Sequence, residues 1–266
     1  MRSGIVTLLT DFGSADYFVG AMKGVILTRS PSATIVDITH SIPPRDIGTA
    51  AFILNAAYAY FPAGSIHLAV VDPGVGSDRR PVVVEVSEHL FVGPDNGLFS
   101  MILERGQQTR VRHVTNREYF LPNVSSTFHG RDLFAPVAAA LANGLSPETL
   151  GPIVNDPIRF GLAQNEHTTE GTIVGSIIHV DHFGNCVTSF RSDELTALSA
   201  GQRFCLSVKG INIRQLRKHY AELGAITDEP FFVAGSAGYL EISLQCSSAA
   251  RELKITVGEP LRLVLS

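Results

Sequence analysis

In the first seventy residues three short apolar runs alternate with two helix-patterned stretches, and this order constrains the fold more than any other feature of the chain. Ile5–Leu9 reads as a buried strand that ends in the turn Thr10-Asp11-Phe12-Gly13. Tyr17–Arg29 carries Phe18, Met22, Val25 and Ile26 at helical spacing, with Ser14 or Asp16 as its expected cap. Thr34–Ile38 is a second strand, Asp46–Tyr60 an alanine-rich amphipathic helix and Ile66–Val71 a third strand. A β-α-β-α-β order needs crossover connections, so it predicts an N-terminal α/β domain with a central, mostly parallel sheet. Pro81 with Val82–Val86, and then Leu90–Val92, add strands; Leu98–Glu104 is a short helix, and Arg131–Asn143 is an alanine-rich helix closed by Gly144.

The texture changes at Gly151. A connection with little periodicity, Gly151 to Glu170, leads into β-rich runs at close spacing: Thr172–Val180, Cys186–Ser189, Phe204–Val208, Phe231–Val233, Leu240–Leu244, Leu253–Val257 and Leu261–Leu265. Such spacing predicts an antiparallel, all-β, barrel-like C-terminal domain. The expected domains are residues 1–165 and 166–266 of the 266-residue chain.

Composition narrows the function classes. With 45% hydrophobic and 17% charged residues the chain suits a buried core. A net charge of −4 without a Lys/Arg run gives no electrostatic footprint for nucleic acid. No apolar run approaches a membrane span, and the start, Met1 to Asp11, has too short an apolar run for a signal peptide, so a cytoplasmic protein is expected. Cys186, Cys205 and Cys246 form no C-x-x-C pair and read as reduced thiols, not as a zinc or disulfide framework.

The chemistry-bearing residues gather at strand ends and turns. Ile66–Val71 delivers Asp72 to its end; a Pro73-Gly74 turn follows, with Arg79 and Arg80 seven and eight residues after the acid. That is the carboxyl edge of an α/β sheet, where open sheets bind ligands. The same residues also suit a simple turn ion pair. Gly74-x-Gly76-x-x-Arg79 looks like a broken dinucleotide fingerprint, but a strand and not a helix follows, so a Rossmann site is rejected. Asp11, at the end of the first strand, suits a ribose diol or a helix cap. His129, beside Gly130 and just before a helix, suits polar work or a structural role, while Arg131 and Asp132 read as first-turn residues. Asp181-His182-Phe183-Gly184-Asn185 reads as a hairpin turn, and Ser236-Ala237-Gly238-Tyr239-Leu240-Glu241-Ile242 as a loop entering a strand.

Taken together, Thr10-Asp11-Phe12-Gly13, Val71-Asp72-Pro73-Gly74-Val75-Gly76, Gly93-Pro94-Asp95-Asn96-Gly97, Phe128-His129-Gly130-Arg131-Asp132, Asp181-His182-Phe183-Gly184-Asn185 and Ser236-x-Gly238-Tyr239-Leu240-Glu241-Ile242 occur in one order. This set resembles the S-adenosyl-L-methionine (SAM) hydroxide adenosyltransferases, hydrolytic relatives of the SAM-dependent fluorinase and chlorinase. The resemblance implies an α/β domain and a C-terminal β-barrel in a homotrimer, with SAM bound between one subunit's N-terminal domain and its neighbour's C-terminal domain. It implies SAM as substrate, with no cofactor and no metal. Asp11 then matches the ribose-holding aspartate, Asp181 and Ser236 the holders of the amine and carboxylate, and Asn185 a contact to the adenosyl group. Tyr220 matches the aromatic that stacks on adenine, and the backbone at Cys246 the partner of the adenine edge; Gln245 stands where the family pattern has asparagine. Asp72, Arg79 and His129 match the hydrolytic subgroup's Asp-Arg-His set, which the halogenating relatives lack.

The chemistry is coherent in its own right. Methionine leaves a sulfonium as a neutral thioether, so departure needs neither metal nor general acid; what is lacking is a competent nucleophile. A positioned base contributes about 10²–10⁴-fold, and in-line placement adds to it. Three other readings compete: a metal-dependent hydrolase built from Asp11, His40, Asp72, His129 and Asp132, a SAM- or adenosine-binding protein without turnover, and residual halide use within the same enzyme class.

Overall fold

The structure is a computed structural model that describes residues 3–105, 108–160, 165–168, 172–193, 204–222 and 228–265. It comprises two compact units, Met1–Phe160 and Gly161–Ser266. Positions 161–164, 169 and 170 of the aperiodic connection lie outside the described residues.

The first unit is built on β1 (Ile5–Thr10), β2 (Thr34–Thr39), β3 (Ile66–Val70), β4 (Pro81–Val86), β5 (His89–Pro94) and β6 (Thr109–His113), in the sheet order β2-β1-β3-β5-β4-β6. Side chains on alternate positions of each central strand enter two separate cores. Val6, Leu8, Ile66, Leu68, Val70 and Val92 pack on one face against Met22 and Ile26 of α1 (Phe18–Arg29) and against α4 (Ala135–Ala142). Leu9, Ala69, Val71, Val84 and Phe91 pack on the other, against Ala50 and Leu54 of α2 (Ile47–Ala57) and Ile102 of α3 (Ser100–Arg105). A sheet buried on both faces needs continuous apolar runs, which is why Ile66–Val71 carries no alternation.

The expectation of a mostly parallel sheet is corrected. β1 runs parallel to β2 and to β3, and β3 parallel to β5, but β4 is antiparallel to both β5 and β6. The cause lies at Ser87-Glu88: only these two residues join β4 to β5, and a two-residue link can close a hairpin but cannot carry a crossover. Ser87 takes the left-handed conformation that such a turn demands, with φ 52°. The sheet is therefore mixed. The expected cap of α1 also differs, because Tyr17 occupies the cap position without a side-chain hydrogen bond.

The second unit carries a nine-stranded sheet that curls into a half-barrel. Its path runs β11 (Ile211–Ile213), β10 (Phe204–Val208), β15 (Pro260–Leu265), β8 (Thr172–Val180), β9 (Cys186–Arg191), β14 (Tyr239–Ser243), β13 (Phe231–Ala234) and β12 (Leu216–Arg217), with β7 (Glu166–His167) on β8. Neighbours are antiparallel except for β12 and β13. One apolar cluster, with Ile177, Leu206, Phe232, Leu240, Ile242 and Leu263, forms its core. The strand expected at Leu253–Val257 is absent. Ser248 instead caps a short helix α5 (Ala249–Glu252) by accepting from the Arg251 amide, and Lys254 turns the chain at φ 55° before Ile255 drops into the core.

Candidate functional site

The carboxyl ends of β1 and β3 lie side by side, since Thr10 pairs in register with Val70. Asp11 and Asp72 leave the sheet from these adjacent ends. Asp72 meets Arg79 across the turn that joins β3 to β4. Nε of Arg79 donates to both carboxylate oxygens at 3.0 Å and Nη2 to Oδ2 at 2.5 Å. The side chains are only 5% and 8% exposed, so this is a buried ion pair and not the solvent-exposed turn pair that composition alone allows.

The same Nη2 also lies 2.7 Å from Nδ1 of His129. A guanidinium has no lone pair to offer, so Nδ1 must accept, and a neutral imidazole then carries its proton on Nε2. Burial, followed by the adjacent Arg79 charge, pulls the His129 pKa below its usual value, against the opposing pull of Asp72 and Asp132. The ring is therefore neutral near pH 7 and presents an N–H from Nε2. Beneath the cluster the guanidinium sits over the Phe134 ring, 5.1 Å from its centroid.

Two local features bring these residues together. Gly76, at φ 81°, lets the β3–β4 turn settle on the backbone carbonyl of Ser126, where a Cβ would stand 2.4 Å from the oxygen. That contact docks the turn bearing Arg79 on the segment leading to His129. The helix expected over Arg131–Asn143 begins instead as a wide π-turn, Gly130–Phe134, capped by His129 and continuing into α4. Such turns recur at functional sites. Arg131 and Asp132 serve the turn: Asp132 is fully buried, accepts from Arg131 and from the Ser125 amide, and reaches neither Arg79 nor Asp72 by a hydrogen bond.

Asp11 does not join the cluster through hydrogen bonds. Its Oδ2 accepts the Arg45 amide at 2.8 Å, with Arg45 held at φ 69°. Aromatic rings that sequence reasoning passed over stand beside these residues: Phe12 and Phe128 meet edge-to-face at 6.0 Å, and Phe18 meets Phe128 at 5.0 Å. The only signal for them was adjacency, as Phe12 follows Asp11 and Phe128 precedes His129.

The five residues of the metal-site reading do not converge. His40 binds Thr10 and approaches Asp37, Asp11 binds the Arg45 amide, and Asp132 is taken by Arg131. Among the described residues, no group of three or more His, Cys, Asp or Glu side chains is disposed to hold a metal ion.

In the second unit Asp181, Asn185, Tyr220, Ser236 and Cys246 all line one open cleft of ≈ 1020 Å³, with Glu241 and Arg251. Asp181 and Asn185 hold one another in the β8–β9 hairpin: Oδ1 accepts the Asn185 amide and Oδ2 its side-chain NH₂, each at 2.8 Å. The turn reading of this motif is thus realised, and the carboxylate it fixes also faces the cleft. Cys246 sits at φ 60°, next to an isolated bridge between Leu244 and Ser247. All three cysteines are free thiols.

The first unit thus presents a buried acid–guanidinium–imidazole cluster at its sheet edge, able to orient a small polar molecule, and the second an open cleft lined by carboxylate, amide and hydroxyl side chains. The chain belongs to the SAM hydroxide adenosyltransferase family, whose N-terminal domain matches residues 6–151 and whose C-terminal domain matches residues 175–262. It is 38% identical to an (R)-S-adenosyl-L-methionine hydrolase of Thermus thermophilus, over 97% of this chain and 99% of that one. A protein of the same name from Salinispora tropica is 35% identical, with 97% of each chain covered. The crystal structure of an uncharacterised conserved protein from Thermotoga maritima superposes with a TM-score of 0.89 at 33% identity, covering 97% of this chain and 99% of that one.

Among the described residues no helix is long and apolar enough to cross a membrane.

Proposed function

We propose that this chain hydrolyses S-adenosyl-L-methionine to adenosine and L-methionine by attack of water at C5′. The observation that carries the reading is the buried Arg79 guanidinium bonded at once to Asp72 and His129, in a chain of the SAM hydroxide adenosyltransferase family. Water oxygen forms the bond to C5′ as the C5′–S bond breaks, its electron pair returning to sulfur. Methionine leaves as a neutral thioether, and one proton must leave the attacking water. The Nε2–H of His129 and the Arg79 charge orient and polarise that water. Asp72 holds Arg79 in place and takes or relays the proton through its remaining lone pairs. Holding the nucleophile in line replaces an encounter from bulk and supplies much of the rate.

Asp11 takes the ribose hydroxyls; Asp181 and Ser236 take the amine and carboxylate; Asn185, Tyr220 and the Cys246 backbone take the adenosyl group. Residues 1–165 and 166–266 act as an α/β domain and a β-barrel domain. The active assembly is a homotrimer whose sites form where one subunit's N-terminal domain meets a neighbour's C-terminal domain. The enzyme works in the cytoplasm, as its three unpaired thiols favour, and needs no cofactor.

The test is mass spectrometry after incubation with SAM in ¹⁸O-labelled water, free of halide and with a chelator present. Adenosine labelled at the 5′-oxygen, with methionine in equal amount, is expected. Asp72→Asn and His129→Ala are expected to retain SAM binding and lose turnover; full turnover in both would refute the assigned roles. Bound but intact SAM in the parent protein would refute the hydrolase reading.

A further inference from the structure

Glu241 is an acid in an apolar strand. In β14 the alternation sends Leu240 and Ile242 into the core and turns Tyr239, Glu241 and Ser243 to the opposite face. The strand is paired on both sides, with β9 and β13, so it lies in the interior of the sheet. It is 7% exposed, and among the described residues no ion pair involves it. Burying a carboxylate without a cation is costly. Local conflict of this kind belongs at functional sites.

Its contacts show what the carboxylate does. Oε2 accepts the Tyr220 hydroxyl at 2.7 Å. The rest of the side chain lies against Gly235, where a Cβ would overlap Oε1 and Cδ. Gly235 opens the tight turn that carries Ser236, closed by Gly238 donating to the Gly235 carbonyl and by Gly235 donating to Tyr239. One carboxylate therefore touches two walls of the cleft that come from separate segments: the tyrosine on one side and the serine-bearing turn on the other. Burial and the neighbouring Asp181 push the carboxyl's pKa up, while the tyrosine hydrogen bond pulls it down.

We infer that Glu241 is a positioning residue for the substrate, fixing the distance between the Tyr220 ring and the Ser236 turn so that both ends of an adenosyl amino acid are met at once. This rests on the function proposed above.

The test compares Glu241→Leu, Glu241→Gln, Tyr220→Phe and the Glu241→Leu/Tyr220→Phe double variant. Each is assayed for KM and kcat with SAM, and by calorimetric titration with adenosine. Glu241→Leu removes the acceptor and is expected to raise KM about tenfold, with kcat within about threefold, because the reacting cluster is untouched. Tyr220→Phe should match it, and the double variant should be no worse than either single, since the two side chains act as one unit. Glu241→Gln keeps an oxygen for the tyrosine and should lose no more than about threefold in affinity. A merely structural role would lower Tm and the active fraction while leaving KM alone.

Three results would overturn the inference: KM unchanged in Glu241→Leu, additive losses in the double variant, or Glu241→Gln as impaired as Glu241→Leu. Should the parent protein bind adenosine without hydrolysing SAM, the hydrolase reading falls, while the same ranking of adenosine affinities still decides the role of Glu241. A parent protein that binds neither molecule overturns both.

Discussion

The sharpest test of the fold's energetics is acid sensitivity through His67. This residue is fully buried in the middle of β3, stacks on Phe91 at 4.9 Å and shares its ring nitrogens with Thr7 at 2.8 Å and His89 at 3.1 Å. Burial, and after it His89, drives its pKa from 6.5 to about 3. A depressed histidine binds a proton in the unfolded chain before it does so in the folded one. Its contribution is therefore complete above the unfolded value and is lost as pH falls from 6.5 toward 3. Between about pH 7.5 and about pH 4.5 the loss is about 3 kcal/mol, within a limit of about 5 kcal/mol set by the whole shift. His89 is also depressed by burial and adds with the same sign. For a chain of this size the loss corresponds to a Tm drop of about 5–11 °C beyond that of the carboxylates. The perturbation is His67→Gln, which keeps a partner for Thr7 and does not titrate. Calorimetry and far-ultraviolet circular dichroism at the two pH values suit a chain with no tryptophan. The variant should lose about 3 kcal/mol less than the parent over this interval. Parallel losses in the two proteins would refute the reasoning, because His67 would then be protonated, or open to water, in the folded state.

Three further outcomes follow from the site. Since His129 is held below its usual pKa by burial and then by Arg79, the neutral imidazole persists below pH 6.5, and the acid limb of kcat/KM is expected there, with a plateau above it; a limb at or above 6.5 would contradict a neutral donor. Arg79→Met should cut kcat by about 10²–10³-fold and move the acid limb of the residual activity upward, as one cause of the depression is removed; an unmoved limb would show that the guanidinium does not act on the ring. Gly76→Ala places a Cβ against the Ser126 carbonyl in a left-handed turn. It should cost about 1–3 kcal/mol in stability and lower turnover of SAM more than adenosine binding, which calorimetry and the ¹⁸O assay separate.

How much of this was legible depended on the range over which each signal acts. Asp72, Arg79 and His129 are grouped in the sequence only by the family resemblance of motifs occurring in one order, and the fold brings Arg79 to His129 across fifty residues. The buried character of the pair could not, since exposure is set by packing against Phe134 and the Ser126 segment. The antiparallel half of the first sheet turned on Ser87-Glu88, whose left-handed serine is not the Asn-Gly or Gly-x signature of a two-residue hairpin. Leu253–Val257 alternates like a strand, yet the Ser248 cap upstream and Lys254 at φ 55° commit it to a helix and a turn. Glu241 stood inside a motif that was read for Ser236, and its role emerges only from Tyr220, which the fold brings to it from 21 positions away.

His67 and His129 show why a depressed pKa does not by itself identify chemistry. Burial is the leading cause for both. His67 spends both nitrogens on neighbours in the sheet interior, so nothing remains to offer a substrate. His129 is half-buried and gives one nitrogen to a guanidinium that is itself pinned by a buried acid. That arrangement fixes which nitrogen carries the proton and leaves that N–H without a described protein partner. A water at Nε2 would meet a donor whose direction and protonation are set before substrate arrives, and preorganisation of this kind avoids reorganisation at the moment of attack. In the proposed mechanism the same logic assigns the proton's exit to Asp72 and not to the imidazole, because a ring already bearing hydrogen on its open nitrogen has no lone pair there to accept another. Retention of turnover in His129→Asn, whose amide also donates but is too weak a base to take the proton, would support that division of labour, and loss of activity in Asp72→Asn at unchanged SAM affinity would complete it.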